Sequence, residues 1–272
     1  MKSSGKGLWL YAILYLAFLY APILLLPLFA FNDGTIIAFP LKGFTLHWFE
    51  VLAEKDQLHT AVKNSLIVAS ATAIMATVLA IFAARASTRY EFKGKGAIIG
   101  LIMLPLVLPE MIVAMALLVV ILQVLGDGAL GLFSMIAGHT LICTPFAIAI
   151  LSGAFQSLDK SLEEAAYDLG EDKISAFRLV ILPLVLPGII SSLLISFTIS
   201  MDEFIIANFL GGTQQTLPVY IYSSLRFPKE IPVIMAVATC LVAVSICLLI
   251  IAEYFRRRGV AKTGGKDSGG FL

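Results

Sequence analysis

Apolar residues in this chain come in runs much longer than the core of a soluble domain requires, separated by short polar stretches. A helix needs about 20 residues to cross the hydrocarbon of a bilayer. Runs near 8–31, 64–84, 97–122, 132–152, 184–207 and 231–254 meet that length and predict six membrane helices. The first follows Lys2 and Lys6, is too long for a secretory-signal core and has no small-residue cleavage site behind it, so it reads as a retained anchor. The second is rich in Ala, Ser and Thr, as closely packed membrane helices are. The third holds Pro105, Pro109 and Glu110 near its middle, and two missing backbone donors should break its hydrogen-bond ladder there. The connection 32–59 contains Gly43-Phe44-Thr45-Leu46-His47-Trp48-Phe49, aromatic enough to lie at the membrane interface. The pattern predicts an all-α polytopic membrane domain over 1–255 and a Gly- and Lys-bearing disordered tail over 256–272.

Composition narrows the function more than the fold. With 272 residues, 59% of them hydrophobic and 14% charged, the chain has no room for a separate enzymatic domain beside six spans. A net charge of +1, without a basic cluster interleaved with aromatics, argues against nucleic acid as a partner. Cys143, Cys240 and Cys247 sit in apolar runs and read as small hydrophobes, and His139 has no second ligand at metal spacing, so no metal site is expected. Gly94-Lys95-Gly96 lacks the flanking spacing of a phosphate-binding loop, so no ATPase activity is expected either. Lys and Arg set the orientation: fourteen of the nineteen fall on the side of the amino terminus, which places both termini in the cytoplasm together with the connection 153–183.

That connection is the longest polar interruption. Leu158, Leu162, Ala165, Ala166 and Leu169 recur at helical spacing, Ser157 or Asp159 can cap the helix, and Gly170 can close it in the left-handed conformation. Glu163, Glu164, Asp168 and Glu171 form an acidic rim suited to a basic groove on another protein. The alternative is an amphipathic helix resting on the bilayer, although such helices usually carry Lys and Arg on the polar face. Glu164-Ala165-Ala166, three residues, Gly170, nine residues, then Val180-Ile181-Leu182-Pro183 resembles the cytoplasmic loop of permease subunits of bacterial ATP-binding-cassette importers, with Val180 in place of the motif's Ile. The resemblance implies the type I importer permease fold in the bacterial inner membrane, with this loop as the coupling helix against a cytoplasmic ATPase dimer that binds ATP and Mg; no cofactor is expected in this chain.

Polar residues inside the spans mark the candidate pathway. On the fifth span, Ser192, Ser196, Ser200 and Glu203 fall within an arc of roughly 80 degrees, and Ser191, Thr198 and Asp202 fall on a second arc; one should line the pathway and the other pack against neighbours. Glu110, Asp202 and Glu203 have no evident Lys or Arg at matching depth, and uncompensated carboxylates in a membrane favour a cationic substrate. Glu110 could instead cap backbone donors freed near Pro109. Ser196-Phe-Thr-Ile-Ser-Met-Asp202-Glu203, Gly43-Phe44-Thr45 before Trp48, Leu104-Pro105 through Pro109-Glu110, and Leu217-Pro218-Val-Tyr-Ile-Tyr222-Ser223 are similar to the spermidine/putrescine importer permeases, most of all to the second permease of those systems. This resemblance implies a heterodimer with a homologous permease, a periplasmic binding protein, and Asp202 near the outer gate. Relatives carrying ferric iron, thiosulfate, opines or amino-acid-like compounds share parts of the pattern. An ion-coupled secondary transporter would show inverted internal repeats, and no convincing repeat is present.

Overall fold

The computed structural model describes residues 4–263. Its helices are α1 Ser4–Ala30, α2 His47–Glu54, α3 Asp56–Arg89, α4 Lys95–Met103, α5 Glu110–Val124, α6 Leu132–Gln156, α7 Ser161–Asp168, α8 Lys173–Ala176, α9 Leu182–Asp202, α10 Ile205–Leu210, α11 Leu217–Ser224 and α12 Ile231–Thr263. Among the described residues there is no strand, only an isolated antiparallel bridge between Asn32 and Phe44. Five segments are long and apolar enough to cross a membrane, and α4 with α5 supplies a sixth if that bent pair is one span.

The expected break in the third span is a bend of 103° between Lys95–Leu106 and Glu110–Val124. Pro105 sits in a 3-10 turn, Leu104–Leu106, and Pro109 directly precedes α5, so both prolines occupy positions where a missing donor costs little. Several boundaries differ from those expected. The second span begins at Asp56, eight positions before Asn64, because its first two turns are polar and contribute no hydropathy signal. The fifth ends at Asp202, where Glu203 and Phe204 interrupt the helix before α10. The boundary at 255 falls inside α12, which runs to Thr263; residues 264–272 of the expected tail lie outside the described residues.

The chain divides into two compact units. One comprises residues 1–55 and 223–272 and pairs α1 with α12. Here Trp48 on α2 is buried with Ala30, Val233 and Ala236, its Nε1 donates to the Asn32 carbonyl at 2.8 Å, and Lys55 pairs with Glu230. The other, Asp56–Tyr222, has α3, α6 and α9 at its centre. α3 presents Ala69, Ala73, Ala76, Ala80 and Ala84 along one buried stripe, and small side chains at that spacing let helices approach closely without a hydrophobic driving force between them. The packing of α9 on α6 shows the same device. A Cβ on Gly188 would lie 2.6 Å from Ala154 Cβ, so the glycine is required for that approach.

Candidate functional site

The elbow between α6 and α9 is built by local hydrogen bonds. Asp159 Oδ1 accepts from the Ser161 amide at 2.9 Å at the start of α7, while Ser157 turns back to the Ala154 carbonyl at 2.8 Å. Gly170, at φ +88°, closes α7: its amide donates to the Tyr167 carbonyl at 2.9 Å and the Glu171 amide to that of Ala166 at 3.1 Å, the paired bonds of a Schellman end. Asp172 Oδ1 then caps α8 by accepting from the Ser175 amide at 2.8 Å. These bonds hold the Asp159 and Asp172 carboxyls below the ordinary carboxylate range, chiefly through Ser161 and Ser175 respectively. Pro183, at the start of α9, cannot donate to the preceding turn; the chain enters through a π turn, Phe177–Ile181, that joins α8 to α9 without a gap.

Side chains of the elbow divide into two sets. Glu163 faces inward: its Oε1 is 2.7 Å from Arg85 Nη2, its Oε2 is 3.8 Å from Arg89 Nε, and the Tyr167 hydroxyl donates to Oε1 at 2.9 Å. Arg85 also stacks over the Phe177 ring at 4.5 Å, and Arg89 Nη2 donates to the Leu158 carbonyl at 3.0 Å. Glu163 therefore leaves the expected acidic rim, because its charge is already matched within the chain. Ala166 is buried, whereas Leu162, Glu164, Ala165, Asp168, Leu169 and Glu171 are exposed, with Leu169 at 87%. Nothing in the sequence joins Arg85 to a residue 78 positions away; only the i,i+4 spacing of Arg85 and Arg89 at a span end hints that both seek one partner.

The two arcs of α9 separate cleanly. Ser192, Ser196, Ser200 and Glu203 are buried against the chain's own helices: Ser192 Oγ is 3.0 Å from Thr77 Oγ1 and Ser200 Oγ is 2.7 Å from His139 Nδ1. This places His139 in packing, with a hydrogen-bond partner. Glu203 Oε1 accepts from the Ile206 amide at 2.9 Å at the start of α10. Ser200 and Glu203, both candidates for the pathway, thus face the packed interior, as helix-pairing and helix-capping groups. On the second arc, Ser191 and Thr198 bond only to the Pro187 and Leu194 carbonyls of their own helix, and Thr198 and Asp202 are exposed. Glu110 is exposed in the first turn of α5, where the helix dipole favours a carboxylate, and no side chain caps that end.

Beyond α9 the chain folds back over the ends of α3 and α6. Ser134 Oγ accepts from the Gly131 amide at 2.8 Å and lies 2.9 Å from the Leu210 carbonyl, which also accepts from Gly131 at 2.9 Å. Asn64 Nδ2 donates to the Gln215 carbonyl at 3.0 Å, and Ser65 Oγ accepts from the Leu217 amide at 2.8 Å. A Cβ on Gly138 would meet Ile206 Cγ2 at 2.6 Å and Leu210 Cδ1 at 2.8 Å, so α10 rests directly on the α6 backbone. Sequence reasoning missed the anchors of this segment, which are single polar residues on a helix already rich in them.

The family model described as binding-protein-dependent transport system inner membrane component matches residues 76–259, from the middle of α3 through the elbow into α12. The chain belongs to this family. It is 32% identical over 243 residues to the spermidine/putrescine transport system permease protein PotC of Haemophilus influenzae, covering 89% of this chain and 93% of that protein. With the putrescine transport system permease protein PotI of Escherichia coli it shares 34% identity over 258 residues, 92% of this chain and 91% of that one. The crystal structure of a bacterial ABC transporter that imports the acidic polysaccharide alginate matches with a TM-score of 0.71 at 17% identity, over 94% of this chain and 98% of that chain, a likeness of fold. The chain is therefore an all-α, multi-pass membrane component with the fold of an ABC transporter permease.

Proposed function

We propose that this chain is the translocation subunit of an ATP-driven importer in a bacterial inner membrane, with both termini and the elbow on the cytoplasmic side. It works as a heterodimer with a homologous permease, above a cytoplasmic ATPase dimer that carries the ATP and Mg, and below a periplasmic binding protein that delivers the solute. The observation that carries the reading is the elbow itself: a short helix with a rigid Schellman end, exposing Leu162, Glu164, Ala165, Asp168 and Leu169 while its remaining acid is tied inward. Exposed leucines beside carboxylates fit a partner groove with an apolar floor and a basic edge. Closure of the ATPase dimer on ATP would press the elbow and rock α9 and α3, opening the subunit to the solute released outside.

The cargo of this proposal is a small cation of the polyamine class. Glu110 and Asp202 are exposed carboxylates, neither forms a salt bridge among the described residues, and the relatives PotC and PotI are polyamine permeases. A carboxylate bordering a membrane is costly without a counter-charge, and a passing diamine supplies one. Uptake of labelled putrescine or spermidine by cells carrying the complete system, competed by neutral sugars and by anions, tests the class. Competition by polyamines alone supports it, and competition by sugars or anions removes it. Asp202→Asn should lower polyamine uptake about tenfold or more while the ATPase still co-purifies; unchanged uptake would take Asp202 out of the pathway.

A further inference from the structure

The ion pair that withdraws Glu163 from the elbow's surface joins that elbow to a helix not adjacent to it in sequence. α7 is covalently continuous with α6 on one side and with α8 and α9 on the other, so neither neighbour needs a side-chain tie to follow it. α3 does need one. Glu163 supplies it, gripped by Arg85 at 2.7 Å and flanked by Arg89 at 3.8 Å, with side chains only 14–15% exposed for the closer pair. Arg85 is fixed from its other face by Phe177, and Arg89 by the Leu158 carbonyl, so residues on both flanks of α7 close on the same two guanidiniums. A planar guanidinium held by a carboxylate and an aromatic ring at once is a stiff contact, with little freedom left in the side chain.

At its other end the same helix holds the segment that folds over the bundle, through Asn64 to the Gln215 carbonyl and Ser65 to the Leu217 amide. α3 is an unbroken helix of 34 residues with no internal proline, so the stretch from Asn64 to Arg85 acts as one rod of about 30 Å. We infer that Arg85, Arg89 and Glu163 are positioning residues of transport: they lock the elbow to α3, and α3 carries the elbow's displacement to the segment 211–217 at the far end through Asn64 and Ser65. This inference rests on the reading of the elbow as the ATPase docking site. It adds a specific route, in which the displacement reaches the far segment along α3 and not only along the covalent path through α9.

The test uses the complete transporter, with partner permease, ATPase and binding protein, in vesicles. Glu163→Arg should keep the ATPase bound and its basal hydrolysis, but lower uptake and binding-protein-stimulated hydrolysis about tenfold; adding Arg85→Glu should restore most of both. If Glu163→Arg instead releases the ATPase and the exchanged pair does not recover it, Glu163 touches the motor itself; the lock is then overturned and the docking reading stands. If Glu163→Arg transports normally, the lock is overturned outright. Wild-type uptake and stimulated hydrolysis in Glu164→Lys would defeat the docking reading, and this inference with it. A second measurement holds even if the charge reversals fail to insert. With Cys143, Cys240 and Cys247 replaced by Ala, a short bismaleimide bridge between Arg85→Cys and Glu163→Cys should leave uptake intact, because the elbow and α3 move as one; a bridge that stops uptake would overturn the inference.

Discussion

At the elbow, α3 is joined to its partner by charge: Arg85 and Arg89 close on Glu163, and every other acid of α7 is left exposed. At the opposite end of the same unit, the joints are neutral. Asn64, Ser65, Ser134, His139 and Ser200 make single hydrogen bonds between helices and fold-back segment, and the one carboxylate drawn inside, Glu203, is spent on a helix end. The difference follows from the cost of burying charge. At the elbow the guanidiniums and the carboxylate, only 10–15% exposed, are sustained by their mutual charge, the Phe177 ring and the Leu158 carbonyl, whereas an unpaired buried ion costs on the order of several kcal/mol and a neutral donor–acceptor pair about breaks even. The two ends therefore suit different tasks. Under the proposed function the exposed acids of the elbow would meet a protein partner, and the exposed Glu110 and Asp202 would meet a solute.

The largest effect should come from reversing a charge on the exposed side of the elbow. Glu164→Lys touches no internal partner, so the protein should insert and fold as before while uptake falls below detection and the ATPase no longer co-purifies; immunoblot of membranes and a pull-down check the two halves. At the far end the equivalent lesion is steric. Gly138→Val places methyl groups where Ile206 and Leu210 now sit, at 2.6 and 2.8 Å from the first added carbon, and should cost about 1–3 kcal/mol, read as a lowered Tm in detergent. Equal Tm values would mean that α10 is not seated on α6.

The smallest effect concerns the Asp172 cap. Its carboxyl is held below its ordinary value of 3.8 by Ser175, so the cap's contribution is complete above about pH 4 and is lost as the pH falls through the lowered folded-state value. Amide exchange across 173–176 should accelerate only in that acid range, and Asp172→Asn, which keeps an acceptor oxygen but cannot titrate, should flatten the profile. A profile that changes near neutrality would point to a different group.

Much of this contrast was legible in the residues. Apolar length predicted the spans, paired prolines predicted the break in the third, and Gly170 predicted the turn of the elbow, since each is a local property of the chain. The serine arcs of α9 were visible as periodicity, but which arc packs depends on Thr77 and His139, residues from two other helices that no window on α9 contains. The pairing of Glu163 with Arg85 is long-range for the same reason. Glu203 shows the limit from another side: a membrane carboxylate reads as a pathway group until the backbone break after Asp202 gives it a helix end to cap.

On the proposed function, force enters this chain at the exposed side of the elbow, and the chain moves solute only when driven. Reconstituting it in vesicles with its partner permease, adding the ATPase, binding protein and labelled polyamine, and comparing wild type with Glu164→Lys tests that directly. Uptake should require ATP on the elbow side and disappear in the variant; uptake without nucleotide, or equal uptake by the variant, would contradict the proposed coupling.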